Sequence, residues 1–112
     1  MSELATIARP YANALYDVSR ENSLNFSSTL ESLLGIVSDK DFVAYSSNPA
    51  TSNKVINKFL TELVDEKNIE FVNFIKVLTE NSRLNVLREI YSQYVTLMNS
   101  KNGIENIKIV TA

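Results

Sequence analysis

Cysteine, histidine and tryptophan are all absent from this 112-residue sequence, and glycine and proline occur only twice each. Without cysteine there is no disulfide framework and no thiolate nucleophile. Without histidine as well, there is no Cys/His zinc site and no serine–histidine relay. The missing cysteines fit a reducing compartment. So little glycine and proline leaves too few turn residues for a β-rich chain. No apolar run approaches the ~20 residues that span a bilayer. The opening Met1-Ser2-Glu3-Leu4 has neither the basic start nor the apolar stretch of a secretory signal. Excess positive charge is missing too. Eleven Lys+Arg face 13 Asp+Glu for a net charge of −2, which argues against nucleic-acid binding by counterion release and against a basic membrane-surface helix.

What remains is ordinary for a globular protein. Hydrophobic residues make up 45% and charged residues 21%, enough to build one core in one domain. The apolar spacing is helical nearly throughout. Leu4, Ile7, Ala8, Tyr11, Ala12, Leu15 and Val18 predict a first helix from about Leu4 to Arg20, with Pro10 either starting it or kinking it. A second helix is expected from about Leu24 to Ser38, where Gly35 suggests a close contact, and a short third from Phe42 to Ser46, with Asp39 and Asp41 as cap candidates. Thr51 or Ser52 is expected to cap a fourth, burying Val55, Ile56, Phe59, Leu60 and Leu63. The fifth, about Glu70 to Asn81, is apolar nearly all round, and the sixth runs from about Leu84 to Ser100 before Gly103. From Ile104 the pattern turns β-branched and reads as a strand with no partner in the chain. The expected class is therefore all-α: a six-helix bundle over residues 1–103, then a strand-like stub at 104–112 that looks like the start of a further domain.

The chemistry-bearing residues resolve mostly into structural roles. The carboxylate pairs Asp39/Asp41 and Asp65/Glu66 fall in turns between helices, where capping explains them better than acid–base work. Ser27-Ser28 and Ser46-Ser47 have no histidine to activate them, and no glycine-rich phosphate loop exists. Arg9 and Arg83, near helix starts, serve either an internal carboxylate or a partner. Tyr11, Tyr16, Tyr91 and Tyr94 suit a core with hydroxyls at its surface, or interface anchors. No catalytic, cofactor or metal residues are expected. The distinctive feature is surplus apolar surface on the first and fifth helices. It makes either a crowded centre or a groove that receives an amphipathic partner helix.

Two blocks carry a family resemblance. Ile7-Ala8-Arg9-Pro10-Tyr11-Ala12-Asn13-Ala14-Leu15-Tyr16 resembles the A-R-P-Y-A-x-A-L opening of the delta subunit of bacterial F-type ATP synthase, whose mitochondrial counterpart is the oligomycin-sensitivity-conferring protein. Phe74 through Leu84 resembles that family's F-x-x-L-x-E-N-x-R-L signature, and Asn48-Pro49 matches its loop Asn-Pro. Asn13 in place of lysine, and the lack of a second-helix tryptophan, are mild departures.

The resemblance implies an amino-terminal six-helix bundle followed by an α/β domain whose first strand would be Ile107 to Thr111. It implies a non-catalytic stator subunit, peripheral at the cytoplasmic face of the bacterial inner membrane. Such a subunit binds the amphipathic amino-terminal helix of an alpha subunit between its first and fifth helices, and grips the b subunits through a carboxy-terminal part missing here. Asn81 and Arg83 would shape the turn before the sixth helix. On that groove the expected lining is Ile7, Tyr11, Ala14 and Val18, offset from a Leu4–Ala8–Leu15 core stripe, together with Phe74 and Val77, while Ile75 and Leu78 face the core. The rival readings are a generic helical adaptor and an RNA-binding helical bundle.

Overall fold

The structure, a computed structural model, describes residues 3–64 and 66–102. Among them are six α-helices, one 3-10 turn and no strand: α1 (Glu3–Asn22), α2 (Ser27–Ser38), α3 (Lys40–Ser47), α4 (Asn53–Val64), α5 (Ile69–Glu80), the turn Leu84–Val86, and α6 (Leu87–Asn102). The all-α bundle expected from the spacing is the observed fold. The expected strand from Ile104 lies outside the described residues.

Short polar side chains set several helix starts. Asp39 Oδ2 accepts the N–H groups of Asp41 and Phe42 at 3.0 and 3.2 Å and so caps α3. Ser52 Oγ accepts from Val55 N–H at 3.2 Å ahead of α4, and Asn68 Oδ1 accepts from Glu70 and Phe71 N–H at 2.9 and 3.0 Å ahead of α5. Each satisfies backbone donors that the helix itself cannot pair. Glu66 is likewise structural: its carboxylate accepts from Thr29 Oγ1 at 3.2 Å and from Asn68 N–H at 3.2 Å. Helices α1 and α5 end alike. Ser23 (φ 55°) and Ser82 (φ 56°) take the left-handed position just past the helix. The next N–H then reaches back, Leu24 to Ser19 O and Arg83 to Leu78 O, both at 2.8 Å.

The core joins all six helices. Ala8 and Ala12 are fully buried on α1, and α1 packs mainly on α6. Two alanines there let the helices approach closely, so the interface is built from small side chains facing larger ones. Opposite them lie Leu87, Ile90 and Tyr94, all fully buried. Tyr94 ties three elements together. Its hydroxyl is hydrogen-bonded to Ser19 Oγ at 2.5 Å and accepts Phe26 N–H at 2.9 Å. A phenol buried this deeply needs such partners. Around Phe26, the rings of Phe71 and Phe74 continue the core at centroid distances of 5.0 and 5.4 Å in sequence.

Several expectations are corrected. Pro10 does not start α1; the helix begins at Glu3 and runs on through it. Proline removes one backbone donor, but this ring is exposed, and Ala8, Ala12, Leu15 and Ser19 anchor the helix from its other side. Leu4 is not core, being 42% exposed. Helix α2 begins at Ser27 rather than Leu24, because Ser23 is left-handed and Phe26 gives its N–H to Tyr94. Gly35 makes no close contact: a Cβ there would meet nothing within 4 Å. On α4 only Ile56 and Leu60 of the expected buried set are buried; Val55, Phe59 and Leu63 are 47%, 38% and 53% exposed. Those three share a face, at spacings of four residues, beside the one that Ile56 and Leu60 bury.

Candidate functional site

Helices α1 and α5 enclose an open apolar groove of about 340 Å³. It arises because each helix carries a second stripe beside its core-facing one. On α1 the inner stripe is Ala8, Ala12, Leu15 and Ser19, all buried. The outer stripe, Tyr11, Ala14 and Val18, recurs at intervals of three and four and lines the groove. On α5 the inner stripe is Phe71, Ile75, Leu78 and Thr79. Its groove stripe is Glu70, Asn73, Phe74 and Val77, the i, i+3, i+4, i+7 pattern of one helix face.

The groove floor is continuous with the core. Leu15 and Phe74 line it while being only 2% and 9% exposed. Phe74 is held at its inner edge by the ring of Phe71. Val77, 43% exposed, stands on the rim. Ala14 is exposed on α1 and small, so it leaves the middle of the groove open. One end is closed by a clasp between the two helices: Asn81 Nδ2 donates to Tyr11 Oη at 3.0 Å. Asn81 is also the C-cap of α5, so the residue that ends the helix fixes it to α1.

Of the six residues expected to line this surface, Tyr11, Ala14, Val18, Phe74 and Val77 lie together in the groove. Ile7 does not line it; half-buried, it packs against the core. Helix α5 ends beside Tyr11, so Ile7, one turn earlier on α1, lies beyond the end of the facing helix. Pro10, Leu15, Glu70 and Asn73 line the groove without having been expected. Pro10, Glu70 and Asn73 continue the same helical stripes, but their polar or proline character hides them from a search for apolar residues alone; Leu15, assigned to the core by its spacing, is both core and groove floor. Asn81 is the C-cap of α5 with its side chain on Tyr11, and Arg83 precedes the 3-10 turn without a side-chain capping bond.

The groove lining is mainly apolar, with Glu70 and Asn73 on its α5 side. Among the described residues there is no cluster of three or more His, Cys, Asp and Glu side chains that could hold a metal ion. Among the described residues there is no sheet edge beside the groove, so an incoming segment finds no backbone ladder there to join. It must satisfy its own backbone groups, and a helix does so.

Comparison with known proteins gives one consistent family. The family model described as ATP synthase delta (OSCP) subunit matches residues 7–112. The chain is 39% identical to the protein named ATP synthase subunit delta from Herminiimonas arsenicoxydans, over all of this chain and 64% of that protein. It is 37% identical to that of Janthinobacterium sp. (strain Marseille), with the same coverage. It is 39% identical to that of Cupriavidus metallidurans, over all of this chain and 65% of the relative. The chain thus spans just under two thirds of the length of these relatives.

Proposed function

The chain belongs to the ATP synthase delta (OSCP) subunit family, and from that premise we propose that its α1–α5 groove holds the amphipathic amino-terminal helix of an ATP synthase alpha subunit. The observation that carries this reading is the groove itself: an open, mainly apolar channel between two helices. The role is mechanical. The subunit holds the catalytic head to the peripheral stalk, so that the head does not turn with the rotor, and contributes no catalytic group. It lies peripheral to the membrane, on its cytoplasmic face. No described helix is long and apolar enough to cross a bilayer. Contact with the b subunits belongs to the carboxy-terminal part of the family's proteins.

The energetics suit a stator. A partner side chain fully buried in the groove contributes about 1.5–3 kcal/mol. Several such anchors, less the cost of association, reach the roughly −12 kcal/mol of nanomolar binding. Slow dissociation follows from apolar burial rather than from exposed charge, so affinity changes little with salt.

The test is an NMR titration of the labelled chain with a synthetic alpha amino-terminal helix, at low and high salt. Shifts should concentrate on Tyr11, Ala14, Val18, Phe74 and Val77 and should persist in high salt. Ala14→Trp fills the open middle of the groove and should lower affinity by about a hundredfold or more, the loss of one to two buried anchors. Undiminished binding by a folded Ala14→Trp chain would show that the helix docks elsewhere.

A further inference from the structure

A second and larger groove lies between α2, α3 and α4, with a volume of about 810 Å³. The family reading above does not use it. Its wall is aromatic. The rings of Phe42 and Phe59 stack with centroids 5.9 Å apart and planes 14° apart, and Tyr45 tilts against Phe59 at 5.7 Å. Only Phe42 belongs to the core; Tyr45, Phe59 and Leu63 are 40%, 38% and 53% exposed. Gly35 opens the α2 side, since a Cβ there would meet nothing within 4 Å.

The rim gives the occupant its chemistry. Asp39 and Asp41 both line the groove, and no lysine or arginine does. Asp39 uses a single oxygen, Oδ2, for both α3 capping bonds, which leaves Oδ1 open to an outside donor. Asp41 makes no ion pair among the described residues. Two carboxylates beside exposed aromatic faces attract a cation twice over, by charge and by the ring quadrupole. The surrounding helices offer no strand to extend, so the occupant must carry its own backbone hydrogen bonds.

We propose that the α2–α3–α4 groove is a second docking surface, for an amphipathic helix with apolar residues on one face and lysine or arginine at its edge. The apolar face lies on Phe59, Tyr45 and Leu63, and the basic edge meets Asp39 and Asp41. The site is independent of the α1–α5 groove and of whatever fills it.

The probes are two synthetic helices of roughly four turns, one of leucine and lysine and one of leucine and glutamate in the same pattern. Each is titrated into the labelled full chain. The leucine–lysine helix should shift the amides of Gly35, Tyr45, Phe59 and Leu63 at least about tenfold more tightly than the leucine–glutamate helix. Gly35→Trp, which fills open space without a clash, should abolish those shifts. Gly35→Ala should keep them and so controls for stiffening of α2. Asp41→Lys should weaken the leucine–lysine helix by about tenfold or more. Equal binding of both helices, shifts spread over the whole acidic surface, or full binding by folded Gly35→Trp would each overturn the proposal. Shifts confined to α1 and α5 would overturn it too, while leaving the first groove's reading intact.

Discussion

The two grooves of this bundle are made differently. The α1–α5 groove has a floor of core residues, Leu15 and Phe74, and is about 340 Å³. The α2–α3–α4 groove is about 810 Å³, and most of its apolar wall stands in solvent, on Tyr45, Phe59 and Leu63. The first is a consequence of core packing: its floor cannot change without disturbing the bundle. The second is a surface feature laid over a core that closes beneath it, at Phe42, Ile56 and Leu60. The sharpest way to break this contrast is to truncate one phenylalanine from each. Phe74→Ala removes a ring packed on Phe71 and should cost about 3–5 kcal/mol of stability. Phe59→Ala removes a ring already 38% exposed, and should cost about 1–2 kcal/mol, a partial burial term plus its ring contacts. Urea unfolding midpoints, compared at equal slope, measure both. Equal losses would mean that the two grooves are equally part of the core.

A second contrast lies in how the walls end. Helix α5, the wall of the narrow groove, stops at a left-handed Ser82, and α3 in the wide groove starts on a carboxylate cap. A side chain in the left-handed region costs roughly 1–2 kcal/mol that glycine avoids, though glycine gives back part of this as chain entropy. Ser82→Gly should therefore stabilise the chain by about 0.5–1 kcal/mol. Thermal unfolding should show the gain, while partner affinity stays the same. A loss of stability would mean that the serine side chain supports the turn in a way its backbone geometry does not reveal.

The same contrast explains what the sequence discloses. Helices were legible from apolar spacing, because burial of one face demands that period. Helix ends were less so. The start of α2 depends on Tyr94 taking the N–H of Phe26, a partner 68 positions away, and no local pattern encodes that. The narrow groove was largely legible because Tyr11, Ala14, Val18, Phe74 and Val77 form stripes offset from the inner ones. Ile7 fits the stripe equally well, and only the point where α5 ends removes it. The outer face of α4 was misread in the opposite sense. Val55, Phe59 and Leu63 read as buried, since spacing marks an apolar face but cannot tell which face of a short helix meets the core.

The smallest effect separates stability from recognition in the narrow groove. The Asn81–Tyr11 hydrogen bond, 3.0 Å long, is exposed, so water replaces it readily when it is lost. Tyr11→Phe should change stability by no more than about 0.5 kcal/mol. Its consequence lies in the angle between α1 and α5. The bond joins the C-cap of α5 to the middle of α1 and holds the groove at one width before a partner arrives. Without it the two helices share more relative positions, and a docking helix must select the right one. Affinity for the alpha amino-terminal helix should fall by a few-fold, through the fraction of chains in the competent arrangement. The ring itself keeps its apolar contacts, so the loss cannot be charged to burial. Calorimetric titration of Tyr11→Phe and Asn81→Ala should give matching losses, and the double variant should lose no more than either alone. Additive losses would mean that each residue touches the partner directly and that the clasp does not set the groove.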